Sequence, residues 1–276
     1  MLFNYHTHSQ YCDGVGSLES IIIEAINKNF TSLGFSSHAP FAYPTKWAMK
    51  NENLSNYLAE IDSLKLKYNN KINIYKGLEI DFIPNVINTN NFSKYNLDYT
   101  IGSVHYINKY NGIYWGIDDT KEIFEEGLKN VFNNNIKEVV KEYYNLVKEM
   151  VLTSPPDIIG HFDIIKKNNK GNVFFNEYDK WYKDEVLSAI GIIKKSNCIV
   201  EINTRGILTK RVESLYPDIW ILKELSKNNI PLTISSDSHK KEQLNGYFIE
   251  TLKILNDIGI KELFFIDNGK WIAKTI

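Results

Sequence analysis

The sequence predicts one α/β domain, residues 1–276, folded as a (β/α)7 barrel of the TIM-like kind. Two features favour this fold. Seven short apolar runs alternate with segments of helical periodicity, which is the pattern of parallel βα units. Nearly all of the six histidines mark the end of such a run. A barrel gathers the carboxyl ends of its strands at one face, whereas an open sheet offers only one or two crevices there.

The expected strands follow one another along the chain. They are 2–6, 32–37, 72–79, 98–104, 157–161, 197–203 and 230–236, and a further apolar run, 263–266, is expected to close or cap the barrel. Helical periodicity lies between them, near 17–29, 52–68, 136–151, 179–195, 215–228 and 243–258. Ser17 is suited to cap the first helix, and Pro155 with Pro156 ends the third one before the fifth strand.

Two further segments, 39–51 and 106–120, lack periodicity but are rich in aromatic residues. Each follows a strand end that carries a histidine. We therefore expect both to line the mouth of a pocket.

The composition of the chain excludes several classes of protein. Its 276 residues are 43% hydrophobic, enough for one sizeable core, and contain no linker-like tract or internal repeat. A net charge of -1 gives no basic field for nucleic acid or an anionic membrane. No apolar stretch approaches the roughly 20 residues of a membrane helix, and the first residues do not resemble a signal peptide. Two cysteines make no disulfide framework, so a cytoplasmic location is expected.

Two short motifs place pairs of candidate metal ligands on one face of the chain. His6-Thr7-His8 ends the first strand, and Asp237-Ser238-His239 follows the seventh. Residues two apart in a strand point the same way, so each pair can reach one ion. Imidazole and carboxylate are frequent metal ligands. A solvated edge or a surface loop without metal is the alternative for each motif taken alone.

A carboxylate, Glu79, ends the third strand. Burying it there is costly unless it has a partner, and a carboxylate can bridge two cations. Asp81, two residues on, is the alternative ligand at this strand end.

The remaining candidates are single residues. His38, His105 and His161 each end a strand, and each alone is compatible with an ordinary core or rim histidine. Asp13 lies in the turn after the first strand, where an aspartate also serves simply to form the turn. Its neighbour Cys12 is more typical of a small buried residue than of a ligand for a soft metal.

Together these residues predict a metal cluster rather than scattered polar side chains. Nine ligands are too many for one tetrahedral site. They suit two or three ions that share a carboxylate. The nine are His6, His8, Asp13, His38, Glu79, His105, His161, Asp237 and His239.

The order of these motifs resembles the polymerase-and-histidinol-phosphatase (PHP) family of metal-dependent phosphoesterases, over nearly the whole chain. The motifs are His6-Thr7-His8, Ser37-His38-Ala39-Pro40, Gly77-Leu78-Glu79, Gly102-Ser103-Val104-His105, Gly160-His161-Phe162-Asp163 and Ser236-Asp237-Ser238-His239. The histidine motifs at 36–40 and 102–105, with Glu201-Ile202-Asn203-Thr204, are most similar to the histidinol-phosphate phosphatase branch. No polymerase core or companion domain accompanies them.

The resemblance implies a distorted (β/α)7 barrel with a trinuclear site. It assigns His6, His8, Glu79 and Asp237 to the first metal, Glu79, His105 and His161 to the second, and Asp13, His38 and His239 to the third. Many relatives have a histidine where this chain has Asp13. Because aspartate is a harder, anionic ligand, zinc, manganese and iron all stay open as the cofactor.

The resemblance also implies a reaction, the hydrolysis of L-histidinol phosphate to L-histidinol and phosphate in histidine biosynthesis. A hydroxide held between two metals bridged by Glu79 would attack phosphorus in line. Asp237 and His239 are the candidates for protonating the leaving oxygen.

Three other functions stay open. One is a PHP phosphoesterase for nucleotides or another small phosphate ester. Another is a barrel amidohydrolase, although that class would expect a metal-bridging lysine at the end of a middle strand, and none of the predicted strands ends in one. The last is a non-catalytic metal-binding module, against which the complete ligand set argues.

Residues for the substrate follow from charge and ring chemistry. The only two arginines, Arg205 and Arg211, lie just after the sixth strand, and arginine suits bidentate phosphate binding; incidental arginines in a solvated loop are the alternative. Lys166 is a further phosphate candidate. Acidic loop residues could hold an ammonium group, and aromatic ones could stack on an imidazole. The acids are Asp118, Asp119 and Asp163, and the aromatic residues are Phe41, Tyr43, Trp47, Tyr106 and Trp115.

Overall fold

A computed structural model describes residues 2–41, 43, 45–110 and 112–276. Seven parallel strands form one sheet, in which each strand lies beside the next in chain order. This confirms the predicted barrel and each of its strands. They are β1 (Leu2–Asn4), β2 (Phe30–Phe35), β3 (Asn73–Asp81), β4 (Tyr99–Ser103), β7 (Ile158–Ile159), β8 (Ile199–Asn203) and β9 (Leu232–Ser235), numbered with two hairpin strands between β4 and β7.

The barrel closes just beyond the ends of its first and last strands. Thr7 and Ser238 form a parallel bridge there. His8 N donates to Ser238 O at 2.9 Å, and Ser238 N donates to His6 O at 3.1 Å. The closure therefore joins the two sequence motifs that carry paired candidate ligands.

Helices cover the outside of the sheet. Ser17 caps α1 as predicted, since its Oγ accepts from Ser20 N at 3.2 Å. The six predicted helices are present; α3 and the short α6 were not predicted. None of the helices in the described ranges is long and apolar enough to cross a membrane. The helices are α1 (Leu18–Asn27), α2 (Leu54–Tyr68), α3 (Lys121–Phe132), α4 (Ile136–Thr153), α5 (Lys180–Ile193), α6 (Arg205–Leu208), α7 (Ile219–Lys227) and α8 (Phe248–Asp257).

Two antiparallel hairpins complete the fold. The first, β5 (Tyr106–Tyr110) with β6 (Ile113–Gly116), occupies part of the segment that showed no periodicity. The second, β10 (Glu262–Asp267) with β11 (Lys270–Thr275), contains the run expected to close or cap the barrel. It does not join the seven-stranded sheet. Instead it packs against aromatic residues near the amino ends of the strands, with Phe265 stacked on Phe3.

Tyrosines fill the barrel interior next to this hairpin. Tyr5, Tyr75 and Tyr99 are all buried. Two neighbouring strands carry glycine where these rings lie. A β-carbon on Gly34 or Gly77 would come within 2.5 Å of an atom of Tyr99, so the absence of a side chain at both positions makes room for the ring.

Candidate metal centre

Six of the seven barrel strands lead into a candidate metal ligand, and β8 is the exception. The structure brings all nine predicted ligands together at the carboxyl ends of the strands. Most of them are buried, while His239 is half-buried and Asp13 is exposed in the turn after β1. The position fits the rule that parallel barrels build their sites at this face.

Glu79 lies at the centre of the cluster. Its Oε2 is 2.9 Å from His38 Nδ1 and 3.3 Å from His6 Nε2. Its Oε1 is 3.0 Å from His161 Nε2 and 3.6 Å from His105 Nε2. The two oxygens thus face different sets of imidazoles, as a bridging carboxylate requires.

The first group of ligands joins both sequence motifs. His8 Nε2 is 3.2 Å from Asp237 Oδ1 and 3.5 Å from Glu79 Oε2. His6 Nε2 is 3.8 Å from the same Asp237 oxygen. Because these atoms converge, the four residues can share one ion.

The second group pairs two single histidines with Glu79. His105 Nε2 and His161 Nε2 are 3.2 Å apart. The other ring nitrogen of His105 lies 2.8 Å from Asp81 Oδ1. Asp81 is therefore turned toward the back of His105 and is placed to orient it, rather than to bind metal in place of Glu79.

The third group surrounds Asp13. Its Oδ2 is 3.2 Å from His239 Nε2, and its Oδ1 is 3.8 Å from His38 Nε2. His8 also approaches, with Nδ1 3.7 Å from Asp13 Oδ1, so these four residues form one possible metal site. Contacts of His8 with Asp13, and of His38 with Glu79, were not anticipated from the sequence.

Several atoms in this cluster are buried without a hydrogen-bond partner. They are His6 Nε2, His8 Nε2, His38 Nδ1, Glu79 Oε2 and Asp237 Oδ1. An unpaired buried polar group costs free energy of about 1–3 kcal/mol. Nitrogen and oxygen donors that face one another without hydrogen bonds fit divalent cations such as zinc, manganese or iron.

The pKa shifts of three groups in the cluster suit metal binding, whereas at His6, His38 and His105 nearby carboxylates outweigh burial and raise the pKa. Burial alone would raise the pKa of Glu79 and of Asp237, but the basic side chains around them outweigh it and hold both well below the usual carboxyl range. Burial, reinforced by His239 and His38, holds the pKa of His8 well below its ordinary value. Ionised carboxylates and a neutral imidazole are the forms that bind metal.

Sequence reasoning assigned no role to Glu201, which lies in β8. Its side chain is buried, with Oε1 2.6 Å from His6 Nδ1. Oε2 accepts from His161 N at 2.7 Å. A glutamate inside an otherwise apolar strand was the available signal, because such a carboxylate needs partners.

The cluster forms the floor of a pocket of about 270 Å³. Arg205, Arg211, Asp118 and Asp119 line it, and their contact with substrate stays a prediction. Arg205 Nη1 donates to Asp237 O at 2.8 Å. Lys167 also lines the pocket, although the sequence pointed to its neighbour.

Lys166 and Asp163 were predicted to contact the substrate, but both point into the protein interior. Lys166 is buried, with Nζ 2.8 Å from Asp163 Oδ2 and 3.8 Å from Asp218 Oδ2. Asp163 is fully buried in the same ion pair. Residues 164–166 form a 3-10 turn, which turns Lys166 inward and presents Lys167 to the pocket.

Of the aromatic candidates, Trp47 and Tyr106 line the pocket. Phe41 packs behind them, with ring centroids 5.4 Å from Trp47 and 5.3 Å from Tyr106. Tyr43 contacts Phe41 at 6.2 Å. The prediction that Trp115 stacks on the substrate is wrong. Its ring is buried away from the pocket, and its Nε1 donates to Ile123 O at 3.1 Å.

Comparison with known proteins agrees with this geometry. The PHP domain model matches residues 4–205. A "Probable histidinol-phosphatase" of Schizosaccharomyces pombe is 30% identical over 98% of this chain and 90% of its own length. The histidinol-phosphatase of Bacillus subtilis is 27% identical over 89% of this chain and 96% of its own length. The structure of Lactococcus lactis histidinol phosphate phosphatase, complexed with zinc, L-histidinol and phosphate, has a TM-score of 0.70 at 20% identity and 98% coverage of both chains.

Proposed function

The chain belongs to the PHP domain family, and from this premise we propose that it is a metal-dependent phosphomonoesterase that hydrolyses L-histidinol phosphate to L-histidinol and phosphate. The observation that carries the proposal is the convergence of nine candidate ligands below a pocket with cationic walls. The activity named for its relatives and the zinc, L-histidinol and phosphate in the Lactococcus lactis structure support it.

Divalent metal ions are the cofactors in this proposal, and the cluster has ligands for two or three of them. Ions such as zinc, manganese or iron bound there supply Lewis acidity and lower the pKa of water toward about 7. The proposed ligands are His6, His8, Glu79 and Asp237 for the first ion, Glu79, His105 and His161 for the second, and Asp13, His38 and His239 for the third.

The chain itself fixes the geometry of the reacting groups. Glu79 holds the first two subsites at a set separation, because its two oxygens face different imidazoles. We assign proton transfer to the leaving oxygen to His239, because Asp237, whose pKa lies well below the usual carboxyl range, is ionised and has no proton to donate. Both line the pocket, and His239 Nδ1 lies 3.4 Å from Asp237 Oδ1.

The phosphate group is assigned to the cationic wall of the pocket. Arg205 is anchored through Nη1 to the backbone oxygen of Asp237, and its side chain is 30% exposed. Its Nε faces Asp237 Oδ1 at 3.9 Å, and the other N–H groups can donate to phosphate oxygens in charge-assisted hydrogen bonds. Arg211 and Lys167 also line the pocket, where Lys167 Nζ lies 3.1 Å from Asp118 Oδ2.

The histidinol part of the substrate is assigned to the acidic and aromatic residues of the same pocket. Asp118 and Asp119 supply negative charge for an ammonium group, and Trp47 and Tyr106 supply rings for an imidazole. Although burial would raise it, Lys167 and nearby imidazoles lower the pKa of Asp118 to about 2. Asp118 is therefore ionised at neutral pH.

The decisive experiment compares substrates with one metal-reconstituted preparation. We expect kcat/KM for L-histidinol phosphate to exceed that for p-nitrophenyl phosphate and for nucleoside monophosphates, because only the first carries an ammonium group for Asp118 and Asp119 as well as a ring for Trp47 and Tyr106. A rate for L-histidinol phosphate no better than that for p-nitrophenyl phosphate would refute the substrate assignment. Faster hydrolysis of a nucleotide would favour the alternative phosphoesterase.

The same proposal includes a small-molecule substrate and a cytoplasmic location. Both cysteines are free, and Cys198 is buried, which agrees with a reducing compartment. Fractionation of the source cells with an antibody to the chain tests the location.

A further inference from the structure

We propose that Glu201 is a positioning residue that fixes two metal ligands, His6 and His161, although its strand supplies no ligand of its own. The inference rests on the proposed metal-dependent hydrolysis. It concerns how the chain prepares its ligands, which the relatives' names do not address.

One oxygen of Glu201 sets the tautomer of His6. A carboxylate only accepts hydrogen bonds, so the 2.6 Å contact between Glu201 Oε1 and His6 Nδ1 requires the proton on Nδ1. In the neutral ring, Nε2 then keeps its lone pair. That atom faces Glu79 Oε2 at 3.3 Å and lacks a hydrogen-bond partner. Glu201 thus turns the metal-binding nitrogen of His6 toward the cluster.

The other oxygen of Glu201 holds the backbone of His161. Oε2 accepts from His161 N at 2.7 Å. His161 has φ of +22°, a region that residues with a β-carbon rarely adopt and that costs about 1–3 kcal/mol. The surrounding structure must maintain this conformation, which aims His161 Nε2 at Glu79 Oε1 at 3.0 Å.

The carboxylate accepts four hydrogen bonds, which explains why a glutamate is needed. Besides the two ligands, Ser235 Oγ and Asn203 Nδ2 donate to it, the latter at 2.9 Å. Glutamine has almost the same shape, but one of its two ends carries an NH2 group. Whichever end that is, a donor would face a donor, and either the His6 side or the His161 side loses its acceptor.

Glu201 should support only two of the three metal sites. Glu201 contacts ligands of the first and second groups, His6 and His161. No hydrogen bond or ion pair among the described residues joins it to Asp13, His38 or His239 of the third group. Loss of Glu201 should therefore weaken two metal sites and spare the third.

The test measures metal binding rather than activity alone. Wild type, Glu201→Gln and Glu201→Ala are titrated with zinc against a chromophoric chelator, and bound metal per chain is measured after dialysis. We expect affinity at the first two sites to fall about 10- to 100-fold, while the third site keeps its wild-type affinity. Asp163→Asn is the matched control, because Asp163 is also fully buried but pairs with Lys166; its zinc binding should match wild type.

Two outcomes of the titration would overturn the inference. One is wild-type zinc affinity at every site of Glu201→Gln, while the wild type binds zinc and hydrolyses the substrate. The other is an equal loss at all sites, or the same loss in Asp163→Asn, since either indicates a general structural role. A wild type that binds no zinc would refute the proposed function itself, and the inference with it.

A measurement on the wild type covers the case in which the variants do not fold. Nitrogen-15 NMR of the zinc-loaded protein should show His6 with a proton on Nδ1 and none on Nε2. A His6 ring without a proton on Nδ1 contradicts the inference.

Discussion

The two ends of the barrel differ in whether their buried polar groups have hydrogen-bond partners. At the amino end, every tyrosine hydroxyl in the interior layer has a partner. Tyr99 Oη donates to Tyr5 O at 2.6 Å, and Tyr75 Oη donates to Ile266 O at 3.0 Å. Tyr5 Oη accepts from Ile266 N at 2.9 Å and contacts Ser32 Oγ at 3.0 Å. At the carboxyl end, buried atoms of His6, Glu79 and Asp237 among others have no hydrogen-bond partner.

This difference separates stability from function. The amino end combines aromatic packing with satisfied hydrogen bonds, so it contributes to the folding free energy. The carboxyl end concentrates costly unpaired groups where a cation can compensate them. The barrel is thus stable at one end and reactive at the other.

Removal of metal should have the largest effect, and only through the carboxyl end. A chelator is expected to abolish hydrolysis and lower Tm, because ions that bind only the folded state stabilise it by about 4 kcal/mol at a thousand times Kd. Calorimetry and rate assays before and after re-addition of zinc or manganese check this. Unchanged activity and Tm in the chelated protein would contradict the comparison.

Asp237→Ala should come next, because it removes one ligand rather than all ions. We expect kcat to fall by more than the roughly 10- to 100-fold typical of residues that only support ligands. The control is Asp184→Ala, since Asp184 is an exposed aspartate paired with exposed Lys180. Steady-state kinetics that show full activity in Asp237→Ala would argue against metal chemistry at this end.

Arg205→Ala should have a smaller effect, confined to substrate binding. Loss of charge-assisted hydrogen bonds worth about 1.5–3 kcal/mol predicts a drop in kcat/KM of tenfold to a hundredfold, mostly through a higher KM. Arg205→Lys should recover part of it, since lysine keeps the charge but not the planar donor geometry. If KM is unchanged in Arg205→Ala, the residue plays no part in phosphate binding.

The smallest catalytic effect is expected at the amino end. Tyr99→Phe removes the hydrogen bond to Tyr5 O, which should lower the free energy of unfolding by about 1–3 kcal/mol and leave kcat and KM unchanged. Trp47→Phe is the counterpart at the other end and should change KM with little effect on Tm. Denaturant unfolding and kinetics of both variants test whether stability and catalysis are separated between the two ends. A loss of kcat in Tyr99→Phe would contradict that separation.

Much of the fold was readable because its signals are local. The alternation of short apolar runs with segments of helical periodicity predicted every barrel strand, even the two-residue Ile158–Ile159. The hairpin at 106–116 was missed, because a two-stranded ribbon outside the main sheet shows no clean alternation. Helix α3 was missed although Phe124 and Leu128 bury its inner face; it lies directly after that irregular segment.

The sequence predicted the site less well where the direction of one side chain depends on the local backbone or on a neighbouring helix. The sequence identified the nine candidate ligands because strand ends in a parallel barrel must converge. It could not tell Lys166 from Lys167, since the choice depends on the 3-10 turn at 164–166. Nor could it tell that Trp115 packs inward, which depends on where α3 lies.

The sequence by itself determined the barrel, its strand order and the chemistry of the ligands, because periodicity and side-chain type act over a few residues. Only the tertiary structure decided which groups share an ion and which residue orients them. Glu201 and His6 lie 195 positions apart, and no local pattern connects them. Their contact exists because closing the sheet between β9 and β1 brings Glu201, in the strand next to β9, within reach of His6 at the end of β1.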